Sequence, residues 1–273
     1  MDKLGFVILT WNSEKVIENC LNSILTLENY VLSVVIVDNG STDKTKEIIS
    51  RKRKSFCNGN HLELVPFDIN MGTTKSRNIG LRKVLKAKWI CVLDSDTIIN
   101  QNAIDSLIAV LKENDKNGIV GPRMVTSSGI VQNSGRHIPT ITEKLCKVLP
   151  SKKLKDYAKK LEKYEGIDEE NVIPVGYLMS ACWMMRAEVI QTVGLLDEKI
   201  FYAPEDVEYC IRAWLCGYRV LYDGKSTIIH EWQRLSRKKI VSKHNWEHIK
   251  GLGYMYGKYG FLFKADKIEK LVM

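Results

Sequence analysis

The chain has 273 residues, 45% of them hydrophobic, and a formal net charge of +9. That length suits one large α/β domain, or one with a small appendage, and no run of 18 apolar residues offers a transmembrane helix. Seven cysteines without a Cys-x-x-Cys pair argue against a structural zinc site and for reduced core thiols in an intracellular protein.

The opening residues lead straight into a strand pattern, so no signal peptide is expected. Gly5-Phe6-Val7-Ile8-Leu9-Thr10 predicts the first strand. Ser13 is the expected cap of a helix whose apolar stripe is Val16, Ile17, Cys20, Leu21, Ile24 and Leu25. A second strand over 31–37 ends in the turn Asp38-Asn39-Gly40-Ser41-Thr42-Asp43, and a helix follows over 45–50. After a third strand over 61–67, Asn70-Met71-Gly72-Thr73-Thr74 opens a helix over 75–85. Trp89-Ile90-Cys91-Val92-Leu93 is a continuous apolar run, the mark of a strand buried on both faces. A helix after Asn100, a short strand at 118–122, a lysine-rich amphipathic helix over 151–164 and a return to the core over 175–185 complete the reading. Strands alternating with helices predict an α/β fold: a Rossmann-like, mostly parallel central sheet flanked by helices.

In such a sheet ligands bind beyond the carboxyl ends of the strands. Those ends are Thr10-Trp11-Asn12, Asp38-Asn39-Gly40-Ser41, Asp68-Ile69-Asn70 and Asp94-Ser95-Asp96. All are polar and most are acidic, which fits a nucleotide pocket. The first turn has no glycine, so neither a dinucleotide fingerprint nor a Walker loop is present. Asp94 and Asp96, two residues apart on a turn, can share one hard cation such as Mn²⁺ or Mg²⁺, with substrate phosphates completing its shell. Basic residues cluster at 51–54, 151–163 and 234–250. A nucleic acid, an anionic membrane surface or a phosphorylated substrate would each account for the excess charge, and no nucleic-acid recognition motif accompanies it.

Several motifs stand in a specific order: Val7 to Asn12, Val35-Ile36-Val37-Asp38 to Asp43, Asn70-Met71-Gly72 through Arg77-Asn78-Ile79-Gly80, Asp94-Ser95-Asp96, Gly194-Leu195-Leu196-Asp197-Glu198, and Pro204-Glu205-Asp206-Val207-Glu208. Together they resemble family 2 glycosyltransferases of the GT-A fold, in particular the rhamnosyltransferase-like group, over residues 5 to about 235. The resemblance implies an inverting transfer of a sugar from a UDP or dTDP donor to a hydroxyl of a glycan or lipid-linked acceptor in cell-surface polysaccharide or glycolipid synthesis. It implies a metal on Asp96 and Asp94, with His230 as third ligand, and Asp94 also near the ribose. Thr10, Asn12, Glu14, Asn39, Gly72 and Ser95 would line the nucleotide pocket. Asp38 would accept the pyrimidine N3–H, and Arg77 would reach the base or its phosphates. Asp206, with Glu205 beside it, would take the acceptor's proton. Asp-Ser-Asp replaces the Asn-Pro-Asp of the rhamnosyltransferase-like group, which weakens any inference to rhamnose. Ser236 matches the Ser or Thr that usually follows His230, and Arg234, Arg237, Lys238 and Lys239 would close over the diphosphate or, with Trp246 and the aromatic segment 254–259, meet an anionic membrane surface.

The expected organisation is a GT-A domain over 1–235, with a nucleotide-binding half at 1–120 and an acceptor half at 121–235 carrying a helical insertion at about 145–170. A C-terminal acceptor-side region completes the expected fold, and a basic, aromatic segment follows over 236–273. The expected place is the cytoplasm, with peripheral contact at the anionic inner face of the cell membrane and no nucleic-acid partner. A sugar-nucleotide-binding scaffold without turnover is the rival reading, and intact acids at 94, 96 and 206 argue against it.

Overall fold

The computed structural model describes residues 1–164, 167, 169–231, 243–261, 263 and 265–272. The first half alternates as the hydrophobic pattern requires: β1 (Asp2–Thr10), α1 (Ile17–Leu25), β2 (Tyr30–Asp38), α2 (Thr45–Lys52), β3 (His61–Pro66), α3 (Thr73–Val84) and β4 (Trp89–Asp94). Next come β5 (Thr97–Ile98), α4 (Gln101–Glu113), β6 (Asn117–Val125), β7 (Val131–Gln132), β8 (Gly135–Arg136), α5 (Ile141–Val148) and α6 (Lys152–Glu162). The described remainder holds β9 (Val172–Pro174), β10 (Tyr177–Leu178), β11 (Cys182–Arg186), α7 (Ala187–Val193), α8 (Glu205–Leu215), β12 (Arg219–His230), α9 (Lys243–Tyr259) and α10 (Asp266–Val272).

The main sheet runs β3-β2-β1-β4-β11-β6-β12-β5. Its first four strands are parallel. β11 then enters antiparallel to both β4 and β6, and β12 pairs parallel with β6 and antiparallel with β5. The sheet is therefore parallel where the strand–helix rhythm was regular and mixed beyond it. β1 is a neighbour of β4 although two strands separate them in sequence. The crevice past Thr10 and Asp94 is thus the topological switch point, where a ligand is expected.

Both faces of the sheet are covered, so the strands alternate between two apolar cores. In β1, Leu4, Phe6 and Ile8 join α1 and α4 on one face, while Val7 joins α3 on the other. That second core also takes Leu252, Met255 and Tyr256 of α9 and Ile268 and Val272 of α10. Gly80 brings α3 close to the sheet: a Cβ there would lie 2.5 Å from Val7 Cγ1. Ser13 does not cap α1 through its side chain. Its carbonyl accepts from the N–H groups of Val16 and Ile17 at 3.0 Å, and its hydroxyl meets Ser95 Oγ at 2.9 Å.

Helix α3 also holds the loop before α8. Thr73 N–H donates to Phe201 O at 2.7 Å, and the Thr74 hydroxyl to Ile200 O at 2.6 Å. The Asn78 amide exchanges two 2.9 Å hydrogen bonds with the backbone of Leu196. Gly72 sits at φ +85°, and a Cβ on it would lie 2.5 Å from Phe201 O. Close packing of this loop is the use the structure makes of Gly72. Gly72→Ala combines a left-handed backbone with that clash, so it should destabilise the fold by about 1–3 kcal/mol. Thermal unfolding checks this; an unchanged melting temperature would mean that the loop yields freely.

Candidate functional site

Asp94 ends β4 and Asp96 follows in the turn to β5. The same turn meets the end of β12, because His230 pairs with Thr97 and Glu231 N–H donates to Asp96 O at 2.9 Å. Strand register, not sequence proximity, therefore brings His230 to the two aspartates. One ligand atom from each of Asp94, Asp96 and His230 lies within 4.8 Å of the others. The beginning of α8 faces the same space. A cavity of about 320 Å³ is lined by Asp94, Ser95, Asp96, Arg77, Glu205 and Asp206. Trp11, Ser13, Thr73, Ser180, Tyr202 and Ala203 complete much of its wall.

Two carboxylates and an imidazole form a donor set that suits Mn²⁺, and Mg²⁺ with more retained water. The imidazole is already arranged for this. The Gln132 amide donates to the His230 carbonyl at 2.8 Å, which turns its Oε1 to His230 Nδ1 at 2.7 Å. Nδ1 therefore carries the proton in the neutral ring. Nε2 is left facing Asp96, with Oδ1 at 3.4 Å. Fixing the tautomer from behind is how ligating histidines are oriented. Burial alone would lower the His230 pKa, but Asp96 and Asp94 more than offset it and raise it above the ordinary value. Burial raises Asp94 as well, Asp96 adds to this, and Arg77 opposes it.

Arg77 is 3% exposed and spans the site. One terminal nitrogen donates to Glu205 Oε1 at 2.9 Å; the other donates to Asp94 Oδ1 at 2.7 Å and to Ser180 O at 3.3 Å. Its buried Nε has no partner among the described residues. Glu205 Oε1 also accepts from the Ser180 hydroxyl at 3.0 Å. Burial, aided by Asp206, pushes the Glu205 pKa up to about 7 against the pull of Arg77. Among the described residues Asp206 makes no comparable ion pair; its Oδ1 accepts the N–H of Val207 at 2.8 Å. Burial raises its pKa also, and more distant cations, Arg136 among them, oppose this. Both acids lie in the first turn of α8, where the helix dipole favours a carboxylate. Both line the cavity, but the two differ in use: Glu205 is spent on Arg77 and Ser180, and Asp206 is not.

The other residues expected at a nucleotide are joined to one another. Asp38 is fully buried, and its carboxylate accepts from the hydroxyls of Thr10 (2.9 Å) and Ser41 (2.5 Å) and from Ser41 N–H (3.0 Å). Asn12, at φ 52°, accepts from Thr42 N–H at 2.9 Å, and Glu14 accepts from Lys44 N–H at 3.1 Å. Asn39 ties down the next loop through Met71 N–H at 2.7 Å and Asn70 Oδ1 at 2.9 Å. These residues fasten the β1, β2 and β3 turns together beside the cavity. Of the expected nucleotide set, Arg77, Asp94 and Ser95 line it. The sequence reading missed Trp11 and Tyr202, aromatic residues each 40% exposed at its wall, and Ser180 and Gln132. An exposed tryptophan in the first turn was a readable signal; nothing local marked Gln132. Arg234, Ser236, Arg237, Lys238 and Lys239 lie outside the described residues.

Three expectations follow. Arg77→Met leaves Asp94 and Glu205 without their cation and should cost about 3–5 kcal/mol in urea unfolding; a loss under about 1 kcal/mol would show that solvent screens the pair. Mn²⁺ binding, followed by the EPR signal of the free ion, should weaken as pH falls through the raised His230 value, since a protonated imidazole cannot ligate. Gln132→Ala should weaken it by about 10–100-fold. A pH-independent affinity would remove His230 from the ligand set.

Comparison with known proteins places the chain in a family and a fold. The model of glycosyl transferase family 2 matches residues 6–194. The low-salt glycan biosynthesis hexosyltransferase Agl10 of Haloferax volcanii is 24% identical over 216 residues, covering 78% of this chain and 62% of its own. The N-acetylglucosaminyl-diphospho-decaprenol L-rhamnosyltransferase of Mycobacterium tuberculosis is 25% identical over 240 residues, covering 84% and 76%. The crystal structure of GalNAc-T7 with UDP, GalNAc and Mn²⁺ superposes with a TM-score of 0.65 at 15% identity, over 94% of this chain and 48% of its own. This likeness establishes the GT-A fold.

Proposed function

The chain belongs to glycosyl transferase family 2, and on that premise we propose that it transfers a sugar from a nucleoside diphosphate donor to an acceptor hydroxyl with inversion at the anomeric carbon. One observation carries the reading: acids more than a hundred positions apart, Asp94 and Asp96 against Asp206, line a single cavity at the switch point of the sheet. Asp94, Asp96 and His230 would hold Mn²⁺ or Mg²⁺, which neutralises the charge that gathers on the leaving diphosphate. Arg77 keeps Asp94 in position through the 2.7 Å ion pair. Trp11 and Tyr202 give the donor apolar surfaces to stack on.

Asp206 is the proposed base. Single displacement requires the attacking hydroxyl to lose its proton, and a carboxylate at a helix start, open to the cavity, can receive it. Burial holds its pKa above the ordinary aspartate value, which makes it a stronger base. Glu205 beside it serves as the anchor of Arg77. UDP or dTDP is the proposed donor nucleotide. The Asp38 carboxylate has about one acceptor position left after its three protein donors, enough for a pyrimidine N3–H if the Ser41 turn yields. The named hexosyl- and rhamnosyltransferase relatives support a glycan or lipid-linked acceptor in cell-envelope glycan synthesis.

Asp206→Asn retains shape but cannot accept the proton, so kcat should fall by about 10²–10⁴ while UDP binding by calorimetry stays within error of wild type. In the wild type, kcat/KM should rise with pH through a limb above the ordinary carboxylate range. That limb belongs to the Glu205–Asp206 pair jointly, because the two carboxyls interact. Near-normal turnover in the variant, or a product with the donor's anomeric configuration by NMR, would overturn this mechanism.

A further inference from the structure

The helices α5 and α6 project an unusual surface. In α5, Glu143 and Cys146 point into the protein and are buried. Leu145 and Val148, on the opposite side, are 56% and 82% exposed, and Leu149 just beyond is 46% exposed. At 100° per residue the two faces are nearly diametrically opposed, so the apolar stripe of this amphipathic helix is turned outwards. Its inward face is polar as well as apolar: Glu143 pairs with Lys147 at 2.7 Å.

Charge gathers around that stripe. Residues 141–164 contain eight lysines against three acids, a net +5 in a chain whose total is +9. Lys152, Lys153, Lys155, Lys159, Lys160 and Lys163 are all exposed. Tyr157, 50% exposed, sits among them. An apolar groove of about 850 Å³ lies between α5 and α9, walled by Ile141, Ile249, Leu252 and Phe261. Gly251, one residue before Leu252, packs against the Ala203 carbonyl, so the groove backs onto the loop that leads to Asp206.

We propose that the α5–α6 hairpin docks the protein on an anionic lipid bilayer, with Leu145, Val148 and Leu149 entering the headgroup boundary and the lysines of α6 meeting lipid phosphates. An apolar stripe rimmed by lysines is the composition of an interfacial helix. A second copy of the chain is a poor fit, since its own lysines would repel it. A nucleic acid would leave the exposed leucines and valine without a role. Tyr254 and Tyr259 of α9 are not the docking element, because their hydroxyls are spent inside the protein. Tyr254 donates to Asp197 at 2.8 Å, Tyr259 donates to Glu208 at 2.8 Å, and Lys258 bonds both acids at 2.7 Å. The consequence, that a lipid-linked acceptor hydroxyl arrives beside the cavity, rests on the glycosyl-transfer reading; the docking does not.

Co-sedimentation of the full chain with vesicles of phosphatidylcholine alone, and of phosphatidylcholine mixed equally with phosphatidylglycerol, tests the surface. Binding is expected to the anionic vesicles and to fall with added salt. Each lysine at such a surface contributes about fivefold, so Lys153→Glu, Lys159→Glu and Lys160→Glu together should weaken binding by about 100-fold or more. Leu145→Glu with Val148→Glu should weaken it by about tenfold or more. These positions are exposed, so unfolding temperature and UDP binding should match wild type in both variants. Wild-type protein that sediments with neither vesicle would overturn the proposal, as would variants that bind like wild type. So would a dimer by light scattering that the Leu145/Val148 variant dissolves, which would make this face a contact between copies. Vesicle binding without sugar transfer would leave the docking intact and defeat the catalytic reading alone.

Discussion

The arrangement of the site depends on one buried cation. Arg77 reaches from α3 to Asp94 at the end of β4 and to Glu205 at the start of α8, with 3% of its surface exposed. A guanidinium is suited to this because its planar fork donates in two directions and stays charged at any working pH. Burying it without both acids would be costly, and burying the acids without it equally so. The strand that carries Asp94 and the helix that carries Glu205 and Asp206 are therefore held in one geometry by this shared guanidinium. Thr73, Thr74 and Asn78 extend the same helix's grip to the loop before α8.

This division of labour explains why two adjacent acids behave differently. Glu205 accepts from Arg77 and Ser180 and so becomes part of the frame. Asp206, one position on, is rotated about 100° around the helix and lines the cavity. At Asp96 the order is similar: Gln132, which is not part of the cavity wall, fixes the ring of His230 and leaves Nε2 towards Asp96. In each case a residue that does not meet the ligand determines what the neighbouring residue presents to it.

Much of this was legible in the chain. The apolar runs and the alternation gave the first four strands and their helices, because strands buried on both faces must be apolar throughout. Asp94 and Asp96, acids at one of those strand ends, line the cavity that the structure shows at this edge of the sheet. What could not be read was set by long-range pairing. The antiparallel entry of β11 and the bond from β12 to the short β5 have no local signature, although the latter brings His230 to Asp96. The nucleotide-turn residues Thr10, Asp38 and Asn39 were read as ligand-facing, whereas their polar atoms are largely occupied by neighbouring turns. Residue type gave their position at the site edge but not which partner each side chain would take. The lysine-rich insertion was visible as amphipathic, but only the packing reveals that the apolar side of α5 faces away from the core.

The dependence on Arg77 is tested most directly by a double-mutant cycle on its two partners. Urea unfolding of Asp94→Asn, Glu205→Gln and the double variant, without added metal, measures whether the acids share one cation. Either single variant leaves Arg77 with a carboxylate, and the double variant leaves it buried with none. The double variant should lose at least about 1 kcal/mol more than the two singles combined, a coupling beyond the scatter of independent sites. Losses that add within about 0.5 kcal/mol would contradict the idea that Arg77 joins the two halves of the site.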